Sequence, residues 1–228
     1  MYENLDKNTV DSKNQLGNSK YVRFSCEEKD GLKILFAGNS ITLHSIKEDI
    51  GWFNECGMAA SCPENDYVHK TVEILSQNHP QINHCIAQVA EWERRYKEGS
   101  SVLGLYENAR DFDADIIVMR CGENCPKDDF DSAVFKQEFN ELVNFFNPNK
   151  TAKVILTTCF WHHPADESII EYGKENNLPV VLLGDLGDKD EMKATGLFWH
   201  EGVAHHPGDL GMLNIAERIA NSICQNIK

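Results

Sequence analysis

Lys33-Ile34-Leu35-Phe36-Ala37-Gly38-Asn39-Ser40 decides the fold. Four apolar residues follow one another without a polar break and stop at a glycine. A strand with one face in water alternates apolar and polar residues, so an unbroken run suits a strand covered on both faces. Similar runs recur at residues 82–87, 116–119, 154–157 and 180–183. Between them the apolar residues take helical spacing. Tyr67, Val68, Thr71, Val72 and Leu75 mark one helix face. Phe135, Phe139, Leu142, Val143 and Phe146 mark a second, and Leu213, Ala216, Ile219, Ala220 and Ile223 a third. Ser61-Cys62-Pro63-Glu64 has the form of a capping box with an early proline, and predicts the start of the first of these helices. Asp209 is placed to cap the last. Strands alternating with helices predict βαβ units with right-handed crossovers. The fold class is therefore α/β, with a central parallel sheet of about five strands and helices on both faces.

The chain has 228 residues, a length that favours one domain. Residues 1–30 are rich in Asn, Asp, Lys, Ser and Glu and lack a period until Tyr21-Val22-Arg23-Phe24, which alternates like a short strand. They read as an N-terminal tail or edge element outside the main domain, residues 31–228. Thirty-six acidic against 22 basic residues give a net charge of −14. Such a surface repels phosphate backbones and anionic membranes, so nucleic acid is excluded as a partner. Neutral or cationic small molecules and neutral glycans suit it. No run of about 18 apolar residues exists to span a membrane. The opening Met1-Tyr2-Glu3-Asn4-Leu5-Asp6 lacks the pattern of a signal peptide, so the expected location is cytoplasmic unless a leader has been removed. Eight scattered cysteines in a chain of this length are expected to be reduced thiols.

Ligands of open parallel sheets bind at the carboxyl ends of the strands. The residues just after the apolar runs are Gly38-Asn39-Ser40, Gln88 to Glu93, Arg120-Cys121-Gly122-Glu123-Asn124, Cys159-Phe160-Trp161-His162-His163 and Gly184-Asp185. His200-Glu201-Gly202-Val203-Ala204-His205-His206-Pro207 precedes the last helix. One crevice thus collects a serine, asparagines, histidines and carboxylates. Acyl transfer needs a nucleophile, a base and neutral donors for an oxyanion, and this set can supply all three. Metal catalysis is set aside, because adjacent histidines such as His162-His163 and His205-His206 cannot easily reach one ion.

In these residues the sequence resembles the SGNH (GDSL-like) hydrolases. Gly38-Asn39-Ser40 stands where that family has its Gly-Asp-Ser turn, Gly122-Glu123-Asn124 is similar to its Gly-x-Asn, and His206-Pro207 to its C-terminal His-Pro. The resemblance implies a three-layer, flavodoxin-like fold and an ester-cleaving serine hydrolase without a cofactor. It implies Ser40 as nucleophile, His206 as base, and the Ser40 N–H with the Asn124 side chain as oxyanion donors. The family's oxyanion glycine has no counterpart after the second run. Ala87 takes its place, with Ala90 as the other candidate. The family's acid is also displaced: Val203 stands three residues before His206, so Glu201 or a backbone carbonyl orients the imidazole. Trp161, Asn39 and Glu123 are expected to contact substrate, with an Arg120–Glu123 ion pair beneath the site as a structural alternative for Glu123. The expected substrate is a small-molecule or glycan ester with a short acyl group. The alternative is a ligand-binding protein that keeps the fold with impaired catalysis.

Overall fold

The computed structural model describes residues 19–26, 28 and 30–226. Among them six strands form one sheet: β1 Val22–Ser25, β2 Leu32–Gly38, β3 Ile82–Gln88, β4 Ile116–Arg120, β5 Lys153–Thr157 and β6 Val180–Val181. The helices are α1 Tyr67–Ser76, α2 Ala90–Arg94, α3 Glu107–Asp111, α4 Ser132–Phe146, α5 Ala165–Glu175, α6 Gly184–Gly187, α7 Glu201–Ala204 and α8 Asp209–Asn226. Strand order is β1-β3-β2-β4-β5-β6. Every pair is parallel except β1 with β3.

Two cores explain the unbroken apolar runs. Leu35, Ala37, Ile117, Met119 and Leu156 face one side of the sheet, against Phe135, Phe139, Leu142 and Phe146 of α4. Ile34, Phe36, Ile116, Val118 and Ile155 face the other, against Tyr67 and Leu75 of α1 and Met212, Ile215 and Ile219 of α8. Alternation along each strand is real, but both faces meet helices, so both must be apolar. The chain leaves β2 to build β3 on one side and β4 on the other. The crevice at the carboxyl end of β2 is therefore the switch point of the sheet, where such folds bind ligands.

Three details differ from expectation. The sheet has six strands, because residues 22–25 add an antiparallel edge strand to β3. The last run pairs only over Val180–Val181. Leu182 turns outward, and the Leu183 N–H donates to Thr158 Oγ1 at 2.8 Å. Asp66, not Ser61, caps the first helix, accepting from the His69 N–H at 2.9 Å. Its buried carboxylate also takes the Gly57 N–H and the His69 ring, so three donors fix it there. Ser61 turns instead to Asp209, whose carboxylate accepts its N–H at 2.8 Å and its hydroxyl at 2.6 Å. Asp209 thus clamps that turn across the fold while standing as the first residue of α8. Cys56, Cys62, Cys85, Cys121, Cys125, Cys159 and Cys224 are free thiols. No helix among the described residues is long and apolar enough to cross a membrane.

Candidate active site

Ser40 sits on a tight turn at the end of β2. Asn39 O accepts from the Thr42 and Leu43 N–H groups at 2.9 and 3.0 Å, and Ser40 O accepts from the Met58 N–H at 2.8 Å. The turn needs Gly38, because an added Cβ would lie 1.9 Å from Thr42 Oγ1. The Ser40 N–H has no hydrogen-bond partner among the described residues. Its hydroxyl lies 2.8 Å from His206 Nε2.

His206 stands in the turn between α7 and α8. Its other ring nitrogen, Nδ1, lies 2.6 Å from the Gly202 carbonyl oxygen. A carbonyl only accepts, so Nδ1 carries the proton and Nε2 presents its lone pair to the serine hydroxyl. Burial lowers the imidazole to about 4, against the opposing pull of the Gly202 carbonyl. The ring is therefore neutral at pH 7, the form a base requires. The Trp161 ring meets it edge-on, centroids 5.0 Å apart, and walls the crevice. His205 is exposed and gives its N–H to Glu201 O, away from the serine.

Glu201 opens α7 as an exposed residue, and its carboxylate makes no hydrogen bond to His206. Between the two open candidates, the geometry has the carbonyl of the next residue holding the imidazole. Glu201→Gln is expected to change kcat/KM by less than about three-fold, as for other surface substitutions. A loss of a hundred-fold in a steady-state assay would restore the carboxylate to the triad.

The oxyanion candidates separate. Asn124 follows β4 and gives one amide N–H, from Nδ2, to Glu93 Oε2. The same nitrogen keeps a second hydrogen. Gly122, at φ +139°, makes this turn possible, and an added Cβ would come within 2.8 Å of Cys159 Sγ. Ala87, by contrast, is fully buried inside β3, between Val22 and Ala37 of the neighbouring strands. It lies before the turn rather than in it. Beyond it, the Val89 N–H bonds Gly38 O, while the Ala90 N–H bonds only the movable side chain of Gln88, at 3.2 Å.

Asn39 and Glu123 do not face the crevice as substrate contacts. Both side chains are buried in a polar network beneath it. Glu123 pairs with the fully buried Arg120 at 2.6 Å and accepts from the Phe160 N–H at 3.0 Å. Asn39 Nδ2 donates to Glu93 at 2.9 Å and to Glu123 at 2.6 Å, while its Oδ1 accepts from Arg120. Asn39 supplies both a donor and an acceptor here, where a carboxylate could only accept. Glu93 ends the stretch Gln88 to Glu93 named above but had no role assigned, because its position between Trp92 and Arg94 resembles any solvated helical carboxylate. The remaining histidines disperse, with His162 on Asp188 and His163 on the Cys125 carbonyl. No group of three metal-ligating side chains is found among the described residues.

The sheet is that of an SGNH-like α/β fold, with a serine hydroxyl and a histidine ring in contact at its switch point. Structural comparison gives the fold its relatives. An acetyl xylan esterase, AlAXEase, matches 84% of this chain and 100% of its own length, with TM-score 0.53 and 16% identity. A two-domain esterase active on acetylated mannans matches 86% of this chain with TM-score 0.53 and 18% identity. The present chain spans about half, 49%, of that protein. The salicylyl-acyltransferase SsfX3 of a tetracycline biosynthetic pathway matches 86% of this chain and 55% of its own, with TM-score 0.57 and 15% identity. No family model and no curated protein matches the chain.

Proposed function

We propose that this protein is a serine esterase that cleaves a short acyl ester, carried on a carbohydrate, through an acyl-enzyme at Ser40. The observation that carries the reading is the 2.8 Å contact of Ser40 Oγ with a His206 whose opposite nitrogen is pinned 2.6 Å from a carbonyl. His206 Nε2 takes the hydroxyl proton as Oγ attacks the ester carbon, then returns it to the leaving alcohol. Water, deprotonated by the same nitrogen, releases the acid and restores the serine. The Ser40 N–H and the second Asn124 amide hydrogen are available for the developing oxyanion. Without a carboxylate on Nδ1, the imidazolium rests on a carbonyl dipole, which stabilises it less than a full charge does.

The substrate class draws on the acetylated mannan and acetyl xylan named for two structural relatives. It also draws on Trp161 at the crevice wall, since aromatic faces suit sugar rings. A fluorophosphonate probe is expected to label Ser40, and acetate release from acetylated oligosaccharides to exceed release of longer acyl groups. An unlabelled serine would overturn the esterase reading. Faster cleavage of the longer chains would overturn the proposed acyl length.

A further inference from the structure

Beneath the proposed oxyanion site lie two carboxylates with one guanidinium close by. Arg120 pairs with Glu123, and no ion pair to Glu93 is formed among the described residues. Glu93 is completely buried and takes three neutral donors instead. Oε1 accepts from the Gly122 N–H at 2.5 Å and from Asn39 Nδ2 at 2.9 Å, and Oε2 accepts from Asn124 Nδ2. It therefore grips both the backbone of the turn after β4 and the side chain two residues further on.

We propose that Glu93 is a positioning residue which, as a carboxylate, holds the Asn124 amide by its nitrogen end and so keeps an N–H directed at the oxyanion. This role rests on the esterase reading of Ser40. The two ends of an amide have nearly the same shape, so the partner decides which end lies against it. An ionised carboxylate can only accept, and it selects Nδ2. The second hydrogen on that nitrogen then points away from Glu93. A protonated Glu93 has an O–H to give and selects Oδ1 instead. The amide turns over, and the donor geometry at the crevice is lost.

Glu93 is poised to change between these states near neutral pH. Burial and the charge of Glu123 push it up to about 7, against hydrogen bonds from Gly122, Asn124 and Asn39. The other groups around it do not titrate there. Burial raises the Cys121, Cys125 and Cys159 thiols and the Tyr106 hydroxyl, which stay neutral. Glu123 is buried too, yet Arg120 holds it below its ordinary range, and Arg120 stays charged. The base, His206, changes charge only at about 4. The two titrations are well separated.

The test is the pH profile of kcat on p-nitrophenyl acetate for the parent, Glu93→Gln, Asn124→Ala and the double variant. The parent is expected to show an acid limb near pH 7. Glu93→Gln should lower kcat by about 10- to 100-fold with KM within about two-fold, and should abolish that limb. On the Asn124→Ala background the same change should alter kcat by less than about two-fold, because Glu93 acts through that amide. A Glu93→Gln profile that keeps the parent's acid limb would overturn the role, as would an undiminished effect of Glu93→Gln on Asn124→Ala. If Glu93→Gln does not fold, the Asn124→Ala profile decides: loss of the parent's acid limb supports the role, and an unchanged limb overturns it. An inactive parent would overturn the esterase reading and this role with it, whereas Asn124→Ala as active as the parent would overturn this role alone.

Discussion

Ser40→Ala is expected to lower kcat/KM for p-nitrophenyl acetate by about 10³-fold or more, with the fold intact. Removing the hydroxyl removes the only atom within hydrogen-bond reach of His206 Nε2 among the described residues, so no covalent route remains. What survives is the catalysis that oxyanion donors and binding provide on their own. The expected loss is smaller than for a complete triad, since the parent's imidazolium has a carbonyl for a partner rather than a carboxylate. Stability should move by less than about 1 kcal/mol, because Ser40 is half-buried and its backbone bonds do not depend on the hydroxyl. A variant that keeps a tenth of the parent rate, measured by alcohol release after correction for background hydrolysis, removes Ser40 from the mechanism.

Arg120→Met is expected to have the largest effect on stability. The guanidinium is fully buried at the end of β4, bonded to Glu123 and Asn39, with its plane near the Tyr67 ring at 5.9 Å. Methionine fills much of the volume but leaves the Glu123 carboxylate without its cation. Breaking a buried pair from one side costs about 3–5 kcal/mol, most of it the uncompensated charge. For a domain of this size that is roughly 10 °C in Tm. The double variant Arg120→Met/Glu123→Gln should recover part of the loss, because it removes the stranded charge as well. Urea denaturation of the three proteins checks this. A single variant within about 1 kcal/mol of the parent would show that the pair contributes little, and a double variant less stable than the single would place the loss in packing.

The layers of the fold were legible because they depend on period alone. Ile34 and Leu35 face opposite cores, and each core needs an apolar partner, so the run is visible in one dimension. Ser40 and Asn124 were legible as residues just after strands and His206 by the proline that follows it before the last helix, and the fold brings Ser40 and His206 into contact. What stayed hidden depends on distant segments meeting. Ser61 with Pro63 and Glu64 offered a good local cap, but Asp209, from the far end of the chain, captures that serine and leaves the cap to Asp66. Glu93 looks like a surface residue in sequence and becomes buried only because the turn after β4 closes over it. Asn39 and Glu123 flank Ser40 and Asn124 in sequence, yet their side chains turn beneath the turns that carry those residues. Leu182 was read into a strand by its apolar neighbours, although β5 offers pairing to only two residues there.

The group that orients His206 belongs to the main chain of a one-turn helix, and this changes what heredity can do to the site. A side-chain acid is lost by one codon change, and its loss is found by alanine scanning. The Gly202 carbonyl stays in the chain after any replacement at position 202, so a residue-by-residue scan registers only the steric effect of the new side chain. Its service depends on the pitch of α7 and on the room beside Gly202, where an added Cβ would lie 2.9 Å from His200 Cε1. The orientation of His206 is thus inherited as a shape of the backbone, and side chains around that turn can vary as long as the shape is kept.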